Sequence, residues 1–233
     1  MIHQMIFAAP RPGLSVPDFQ DYWLHQHAVR YASQIPQIRR YKVDTVVPPP
    51  AGVGEPAWSG IAEIWLRNEE EQLASLQTPE FLDGARLDEP RWAAFWQTVA
   101  LDTDASVPLA ALTPPEAPDQ DSVKLVRLVK RAGGVGLDAF RRAMVEEYAL
   151  RLGEVPGLRG LMVNLCRDGL YGVGEAVLDG AVQLWFDDVD ALARAATTPE
   201  WAKAQFHLQT FVEARYVHEL VVQEHWVIGP ESR

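Results

Sequence analysis

The pattern of apolar and polar positions passes through the same series of elements twice. Short apolar, partly β-branched runs that end in Gly- and Pro-rich turns predict strands, and longer runs with apolar residues three or four apart predict helices. Each half reads strand, helix, strand, strand, helix, strand. The predicted strands are residues 2–8, 39–47, 60–66 and 100–109 in the first half and 122–129, 159–166, 180–186 and 216–227 in the second.

The predicted helices also come in matching pairs. Ser15 and Asp138 are predicted to cap first helices that run to about Gln34 and Leu152. The second helices start at acidic stretches, where negative charge suits the positive end of a helix. These stretches are residues 67–76 and 187–196, with more helix predicted around 89–98 and 200–213.

Sequence matches at a nearly constant offset indicate an internal repeat. Phe19 matches Phe140 at an offset of 121, and "GIAEIWL" (60–66) matches "GAVQLWF" (180–186) at 120. "QIPQIRRY" and "EVPGLRGL", and then "TPEF" and "TPEW", match in the same order at 120. Ordered matches of this kind predict two copies of one unit. The predicted domains are residues 1–112 and 121–233, joined by a proline-rich linker at 113–120.

The order βαββαβ is typical of a ferredoxin-like unit, an antiparallel sheet with helices on one face. The other face of such a sheet is apolar and needs a cover. A second copy in the same chain can supply it. We therefore predict the α+β class, with tandem ferredoxin-like units packed sheet to sheet as a dimeric α/β-barrel within one chain, and we leave a further homodimer open.

Composition limits the classes of partner. Hydrophobic residues make up 48% of the 233 residues and charged residues 23%, which is typical of a globular protein. The net charge is −11 without a basic stripe, so no nucleic-acid partner is expected. No apolar run reaches the ~20 residues of a membrane helix, and the start lacks the pattern of a signal peptide. With its single cysteine, the chain is expected to be cytoplasmic.

Two histidines in "DYWLHQHA" (21–28) are separated by helical geometry. Phe19, Trp23, His27 and Tyr31 are spaced by four and form the apolar face of the first helix. His25 is about 200° away from His27 at ~3.6 residues per turn and is expected to face water. In the second copy the position of His27 holds a tyrosine, so the fold does not require histidine there. A purely structural role for His27 stays open.

The motifs of the first copy resemble those of the EthD family of dimeric α/β-barrel proteins. The resemblance rests on an R-x-G loop, an F-x-x-Y-W-x-x-x-H helix and a P-x-x-x-x-Y strand entry. In this chain these are Arg11, Gly13, Phe19, Tyr22, Trp23, His27, Pro36 and Tyr41. The second copy keeps Phe140 and Pro156 but has Met144 and Tyr148 where the first has Trp23 and His27. The resemblance implies small-molecule chemistry without a metal, ranging from polyketide decarboxylation and ether degradation to cyclases, isomerases and cofactor-free monooxygenases of the wider superfamily.

We predict His27 as a general acid or base, because an imidazole exchanges protons near neutral pH. Glu63, whose counterpart is Gln183, is predicted to orient it, and Tyr22 to bind a substrate oxygen. The residues predicted to contact the substrate are Trp23, Tyr41, Trp65, Trp92, Phe95 and Trp96. Packing alone remains an alternative for each of these aromatics. Glu63 paired with an arginine is another.

No motif predicts a metal or an organic cofactor. His218 and His225 lie seven apart on one predicted strand, and alternation places them on opposite faces. "GGVG" (133–136) lacks the Lys-Ser/Thr of a phosphate loop. Cys166 lies in no nucleophile motif.

Taken together, these observations predict a cofactor-free lyase or isomerase, for example a decarboxylase or dehydratase, that acts on an aromatic or polyketide-like ligand in aromatic compound metabolism. One alternative is a non-catalytic, ligand-binding accessory protein of a degradation or oxygenase system. Another is a cofactor-independent monooxygenase, which needs a substrate that activates oxygen itself. The second copy is predicted to be a degenerate scaffold.

Overall fold

The computed structural model describes residues 1–51, 53, 55–116, 119, 121–172 and 174–231, and only the backbone of Leu170. The chain divides into two compact units. Unit 1 holds Met1–Val46, Ala57–Asp102 and Glu224–Arg233, and unit 2 holds Val47–Pro56 and Thr103–Gln223. Neither unit is continuous, whereas the sequence predicts continuous repeats. The last strand of each repeat begins in one unit and ends in the other, which explains the difference. Part of the predicted linker lies outside the described residues.

Eight strands follow the predicted order. Their bounds are β1 (Ile2–Ala8), β2 (Arg40–Val46), β3 (Gly60–Leu66), β4 (Val99–Ser106), β5 (Val123–Val129), β6 (Gly160–Cys166), β7 (Gly180–Phe186) and β8 (His218–Ile228). In unit 1, β3 pairs antiparallel with both β1 and β2, and in unit 2, β7 pairs antiparallel with both β5 and β6. The hydrogen-bonded order is β1-β3-β2 in unit 1, and in unit 2 the part of β8 that belongs to it pairs with β5, which gives β8-β5-β7-β6. The predicted α+β class and ferredoxin-like order are confirmed.

Helices connect the strands in both units. The α-helices are α1 (Val16–Tyr22), α2 (Ala28–Arg30), α3 (Glu69–Ser75), α4 (Arg86–Asp88), α5 (Leu137–Arg142), α6 (Ala149–Leu152), α7 (Asp168–Tyr171), α8 (Val189–Ala196) and α9 (Pro199–Leu208). The π-helical segments are Trp23–His27, Glu80–Ala85 and Ala143–Tyr148. The 3₁₀ segments are Ala32–Gln34, Glu89–Arg91, Phe95–Gln97, Ala110–Leu112 and Ala214–Tyr216. The short α7 lies between β6 and β7.

The first helical stretch is interrupted by a π turn at the same place in both copies. The Ala28 N–H donates to the Trp23 carbonyl five residues earlier, and the Ala149 N–H donates to Met144 in the same way. Ser15 caps α1 as predicted, since its side chain accepts from the Asp18 N–H. Asp138 is not a cap. Helix α5 starts at Leu137, one residue before it, so the capping position belongs to a glycine.

The helix predicted at 89–98 is misplaced and lies at 80–91 instead. The Ala94 N–H donates to the Ala9 carbonyl, and the Arg11 N–H donates to Trp92. These bonds tie residues 92–94 to the end of β1, so the helical hydrogen bonds end at Ala93, whose N–H donates to the Glu89 carbonyl. The second copy makes the same bonds, from Glu213 to Lys130 and from Ala132 to Phe211. Helix α9 therefore ends at Leu208, before the predicted limit of 213.

The repeat is visible residue by residue. Phe19 and Phe140 lie in the first helix of their copies, and both are fully buried. Trp65 and Trp185 occupy matching register positions, since Trp65 pairs with Arg40 and Trp185 pairs with Gly160, 120 residues later. The turn glycines Gly13 and Gly134 have φ of +87° and +86°, a region that favours glycine. The predicted correspondence of the two copies is confirmed.

Strand alternation gives the unit 1 sheet two different faces. On one face, Phe19 and Trp23 of the first helical stretch pack with Tyr41, Ala62 and Ile64 of the sheet in an apolar core. The strand residues that alternate with these sheet residues point to the opposite face. That opposite face carries polar side chains, all buried: His3, Lys42, Asp44 and Glu63. Which face a residue occupies decides whether it can reach His27.

Candidate functional site

A cavity of about 360 Å³ lies between the helices and the sheet of unit 1. This volume falls in the range of small-molecule sites. Most of the wall is apolar, from the strands, the first helical stretch and the residues that follow α3. His27, Tyr41, Glu89 and Trp92 are among the polar and aromatic residues that line it. Lysine and arginine are absent from the described lining.

His27 is held by a carboxylate that arrives from the second helical stretch. His27 Nδ1 lies 3.0 Å from Asp88 Oδ2, and both side chains are almost completely buried, with 7% and 2% exposed. The Tyr22 hydroxyl donates to the other carboxylate oxygen, Asp88 Oδ1, at 2.8 Å. Asp88 is thus fixed from two sides by residues five apart on the first helical stretch. The three residues form a connected Tyr–Asp–His group.

This contact assigns the protons of His27. Burial lowers the pKa of His27 below its ordinary 6.5, and Asp88 opposes that shift only in part. The imidazole is therefore neutral at pH 7. A carboxylate accepts only, so Nδ1 carries the hydrogen. Nε2 then has the lone pair and makes no hydrogen bond to any described residue. Burial, and then the bond to Asp88, raise the pKa of Tyr22, which keeps its hydroxyl protonated.

Aromatic rings hold the imidazole in position. The Trp92 ring centre lies 4.7 Å from that of His27 and 4.8 Å from that of Trp23. Trp23 in turn donates to the Tyr41 hydroxyl at 3.2 Å, and burial raises the pKa of that hydroxyl. Trp23 also needs the absence of a side chain on β3, because a Cβ on Gly60 would lie 2.8 Å from its ring. Packing therefore restricts the orientation of His27.

Of the predicted contact residues, four line this cavity and two do not. Trp23, Tyr41, Trp92 and Phe95 belong to the wall. Trp65 does not, because it lies on the opposite face of β3, stacked on His3 at 4.3 Å. Trp96 is 71% exposed and lies outside the described wall. Trp92 is 3% exposed and Phe95 is 62% exposed, so Phe95 reaches the surface and Trp92 does not.

The prediction that Glu63 orients His27 is wrong. Glu63 shares the opposite face of β3 with Trp65, where Glu63 Oε2 lies 2.6 Å from His3 Nε2 and Glu63 Oε1 lies 3.1 Å from Lys42 Nζ. Alternation along β3 makes this unavoidable, because the neighbouring Ala62 and Ile64 are the residues that line the cavity. A further acidic residue, Glu224, contacts Lys42. Glu63 belongs to a separate buried group of charges.

That group includes the closest approach to a metal site in the described chain. Asp44, Glu63 and Glu224 each offer an oxygen, and these oxygens lie within 4.8 Å of one another. Lys42 makes ion pairs with both glutamates. A lysine between carboxylates supplies the positive charge that a cation would supply. The geometry is explained by this internal compensation.

Sequence reasoning missed Asp88 and Glu89. Asp88 shares a helical face with Phe81, Ala85 and Trp92, at spacings of four, three and four. A carboxylate at a core position of an apolar stripe is costly unless it is paired, and this was the available signal. Glu89 lines the cavity, and burial raises its pKa to about 7, opposed by the charge of Arg86 and reinforced by that of Asp88.

The second copy fills the corresponding space with its own side chains. Tyr148 takes the position of His27, and its hydroxyl accepts a hydrogen bond from the buried guanidinium of Arg127. Arg127 also pairs with Glu219 at 2.6 Å and lies over the Trp201 ring at 5.0 Å. In unit 1 the residue at the place of Arg127 is Ile6, which lines the cavity. The long side chain of Arg127 therefore occupies, in unit 2, space that the shorter Ile6 leaves open in unit 1.

The remaining members of the group differ as well. Equivalent backbone hydrogen bonds place Trp92 and Phe211 at matching positions in the two copies. Four residues before each of them, the counterpart of Asp88 is His207. Ala143 stands where the first copy has Tyr22. The second copy therefore lacks the Tyr–Asp–His group at all three positions.

Solved structures share this fold across nearly the whole chain. An anthrone oxidase-like protein aligns with a TM-score of 0.63 and 15% identity, covering 97% of this chain and 92% of its own. A protein of Fusobacterium nucleatum provisionally named a monooxygenase aligns with a TM-score of 0.62 and 6% identity, covering 100% and 95%. One of Lactobacillus acidophilus with the same provisional name gives 0.58 and 11%, covering 100% and 97%. At these identities the likeness is one of fold.

Sequence comparison places the first copy in a family. No curated protein matches the chain. Among the described residues, no helix combines the length and the apolar character needed to cross a bilayer. Residues 11–95 match the EthD domain, a segment that includes Tyr22, His27, Asp88 and Glu89. The first copy therefore carries an EthD domain.

Proposed function

We propose that this chain is an acid–base enzyme whose substrate is a small, flat, aromatic or polyketide-like molecule held in the unit 1 cavity. The observation that carries the proposal is the buried His27–Asp88 pair in the wall of that cavity. A neutral imidazole with its second nitrogen bound to a carboxylate is the arrangement of a general base. The EthD domain of the first copy and the fold are compatible with small-molecule chemistry.

The proposed step is removal of a proton from the substrate by Nε2 of His27. The imidazole becomes imidazolium, and the Asp88 carboxylate stabilises its positive charge at 3.0 Å. Tyr22 keeps that carboxylate in place from the other side. The apolar wall excludes water, which strengthens both interactions. Trp23, Trp92 and Tyr41 would flank a flat ring system.

The fate of the deprotonated substrate separates two reaction classes. The resulting carbanion or phenolate expels a leaving group or takes the proton back elsewhere in a lyase or isomerase. In a cofactor-independent monooxygenase, the same anion reacts with molecular oxygen. The likeness in fold to an anthrone oxidase-like protein and to proteins provisionally named monooxygenases favours keeping this second class. Neither class needs Glu63, which lies on the other face of the sheet.

Deuterium exchange tests the shared step without knowledge of the product. Anthrone, a flat ketone with an acidic methylene group, is incubated with the protein in D₂O under nitrogen and its deuterium content is followed by mass spectrometry. We expect exchange faster than in buffer, lost in His27→Ala and kept in His25→Ala. Equal exchange rates in both variants, or no acceleration by the unmodified protein, would overturn the proposal in favour of the accessory role.

Admitting oxygen separates the two classes in the same experiment. A monooxygenase consumes oxygen at a rate that depends on His27, whereas a lyase or isomerase exchanges deuterium without consuming oxygen. The expectation of no metal or organic cofactor is tested on the same sample. Elemental analysis and an absorption spectrum of the purified protein should show neither in stoichiometric amount.

A further inference from the structure

We infer that the unit 1 cavity takes an uncharged aryl ketone or phenol, and that the carboxyl group of Glu89, in its protonated form, donates a hydrogen bond to the oxygen of that ligand. This inference rests on the proposed function and adds a substrate class and a second acid–base residue to it. It excludes carboxylate substrates, and with them the decarboxylase among the predicted activities.

The first argument is the charge of the wall. Its described lining contains no lysine or arginine, and His27 is neutral at pH 7. Recognition of a carboxylate or phosphate normally uses a cation with a charge-assisted hydrogen bond. An anionic ligand in this cavity would face the carboxyl group of Glu89 instead. A neutral ligand avoids both the desolvation of a charge and that repulsion.

The second argument is the hydrogen-bonding state of the wall. The carboxyl group of Glu89 makes no hydrogen bond or ion pair with any described residue. The indole Nε1 of Trp92 is buried and also lacks an acceptor among them. Buried donors are normally satisfied. A protonated Glu89 and the Trp92 indole are both hydrogen-bond donors. The wall is therefore suited to a ligand oxygen that accepts a hydrogen bond.

The charged and titratable groups around Glu89 set its protonation. Arg86 on α4 lowers its pKa, Asp88 raises it, and burial exceeds both, which leaves the value at about 7. From the first helical stretch, neutral His27 lines the same cavity, and protonated Tyr22 reaches Asp88. Arg91 lies 3.7 Å from Asp88 and compensates part of its charge. An ordinary glutamate would be ionised at neutral pH, whereas this one is balanced between both forms.

The two residues together complete one balanced step. The C–H proton beside the carbonyl passes to His27 Nε2, the C–H electron pair forms the C=C bond, and the carbonyl π pair moves to oxygen. That oxygen takes the proton of Glu89. The products are an enol, an imidazolium paired with Asp88, and a Glu89 carboxylate. Loss of one proton from the imidazolium and gain of one proton by the Glu89 carboxylate restore the site.

Equilibrium dialysis with a matched pair of probes tests the inference without turnover. The probes are 2-acetonaphthone and 2-naphthoate, which share a ring system and differ in a neutral acetyl group against a carboxylate. Binding to the full chain is measured one pH unit below and one above the Glu89 pKa of about 7. We expect 2-acetonaphthone to bind roughly three- to tenfold more weakly at the higher pH, the loss of one hydrogen bond, and 2-naphthoate to bind more weakly at both.

Four variants identify the residue. Glu89→Gln keeps a donor at every pH, so its affinity for 2-acetonaphthone should no longer depend on pH. Glu89→Ala should bind weakly at both pH values. Glu70→Gln, an exposed glutamate of α3, should behave as the unmodified chain. His27→Gln should keep the pH dependence, which separates Glu89 from the titration of the imidazole.

Tight binding of 2-naphthoate at the higher pH, or a pH dependence that persists in Glu89→Gln, would overturn the inference. The outcomes are separable from those of the deuterium experiment. Absence of exchange with the expected binding pattern would remove the proposed function and leave the ligand class. Exchange that depends on His27 with no role for Glu89 in binding would do the reverse.

Discussion

His27 and Asp88 are 61 residues apart in the chain, yet Nδ1 of one lies 3.0 Å from Oδ2 of the other inside the wall of the unit 1 cavity. The first helical stretch carries one partner, and the end of the second carries the other. Burial alone would leave the imidazole without a defined tautomer. The carboxylate defines it and directs the lone pair to Nε2.

Replacing His27 should separate catalysis from folding. His27→Ala should cut turnover by ~10²–10⁴ and lower the free energy of unfolding by on the order of 1–3 kcal/mol, because a buried ring is lost. His25→Ala is the matched control, since His25 is exposed and its ring bonds to Asp21 one turn earlier. Equal losses in the two variants, measured by the deuterium assay and urea unfolding, would contradict the assignment.

Asp88→Asn should damage catalysis while keeping the shape of the site. The amide can donate to Nδ1 of His27, which favours the tautomer with its hydrogen on Nε2 and removes the base. We expect a loss of ~10²-fold or more in exchange rate, with probe affinity within about threefold of the unmodified chain. Asp83→Asn, an exposed neighbour on the same stretch, is the control. A normal rate in Asp88→Asn would show that the carboxylate only packs.

Glu89 should make stability fall as pH rises. Its folded pKa of about 7 exceeds its ordinary 4.5, so the folded state binds the proton more tightly. The stabilisation is complete below about pH 4.5 and is lost as pH rises through 7. Glu89→Gln should therefore raise the free energy of unfolding above pH 7 by about 1–2 kcal/mol after allowance for partial solvent screening. Urea unfolding of the variant and of the unmodified chain, at one pH below the transition and one above it, measures this change. If the two free energies of unfolding differ by the same amount at both pH values, the prediction is wrong.

His27 should act in the opposite direction at lower pH. Its folded pKa lies below its ordinary 6.5, so the unfolded state binds more protons. Stability should be complete above about pH 6.5 and fall as pH drops below that value. His207, His218 and His225 have lowered pKa values too. His27→Gln should therefore reduce the acid sensitivity of unfolding without abolishing it, and an identical pH profile would count against its burial as a neutral ring.

Arg127 tests the role of the second copy as a scaffold. Arg127→Met leaves Glu219 and the Tyr148 hydroxyl without their shared partner, and should cost on the order of 3 kcal/mol in urea unfolding. Deuterium exchange per folded molecule should not change, because the cavity belongs to unit 1. Arg215→Met is the control, since its guanidinium is exposed and its ion pair with Glu213 lies at the surface, where such pairs contribute little to stability. Loss of exchange in the folded Arg127 variant would give the second copy a part in the reaction.

The sequence by itself determined the architecture and the side of the helix that matters. Binary patterning and the matches at 120–121 residues are local properties, so β1, β3, β7 and the two copies could be predicted within a residue or two. The four-residue stripe placed His27 inside and His25 outside, because helical periodicity fixes direction whatever packs against it. The helix at 80–91 was less well defined, since distant backbone bonds of Ala9 and Arg11 decide where that helix stops.

Only the tertiary structure decided which carboxylate serves His27. The sequence indicates Glu63 as the partner of His27, because the second copy replaces both residues. In the structure, alternation along β3 points Glu63 to the opposite face, towards His3 and Lys42. Asp88 instead comes from a helix that packs on the same face of the sheet, and pairing across 61 residues leaves no periodic trace in the sequence. Periodicity specifies the direction of a side chain from its own element. Its partner depends on the distance between elements, which the packed chain alone supplies.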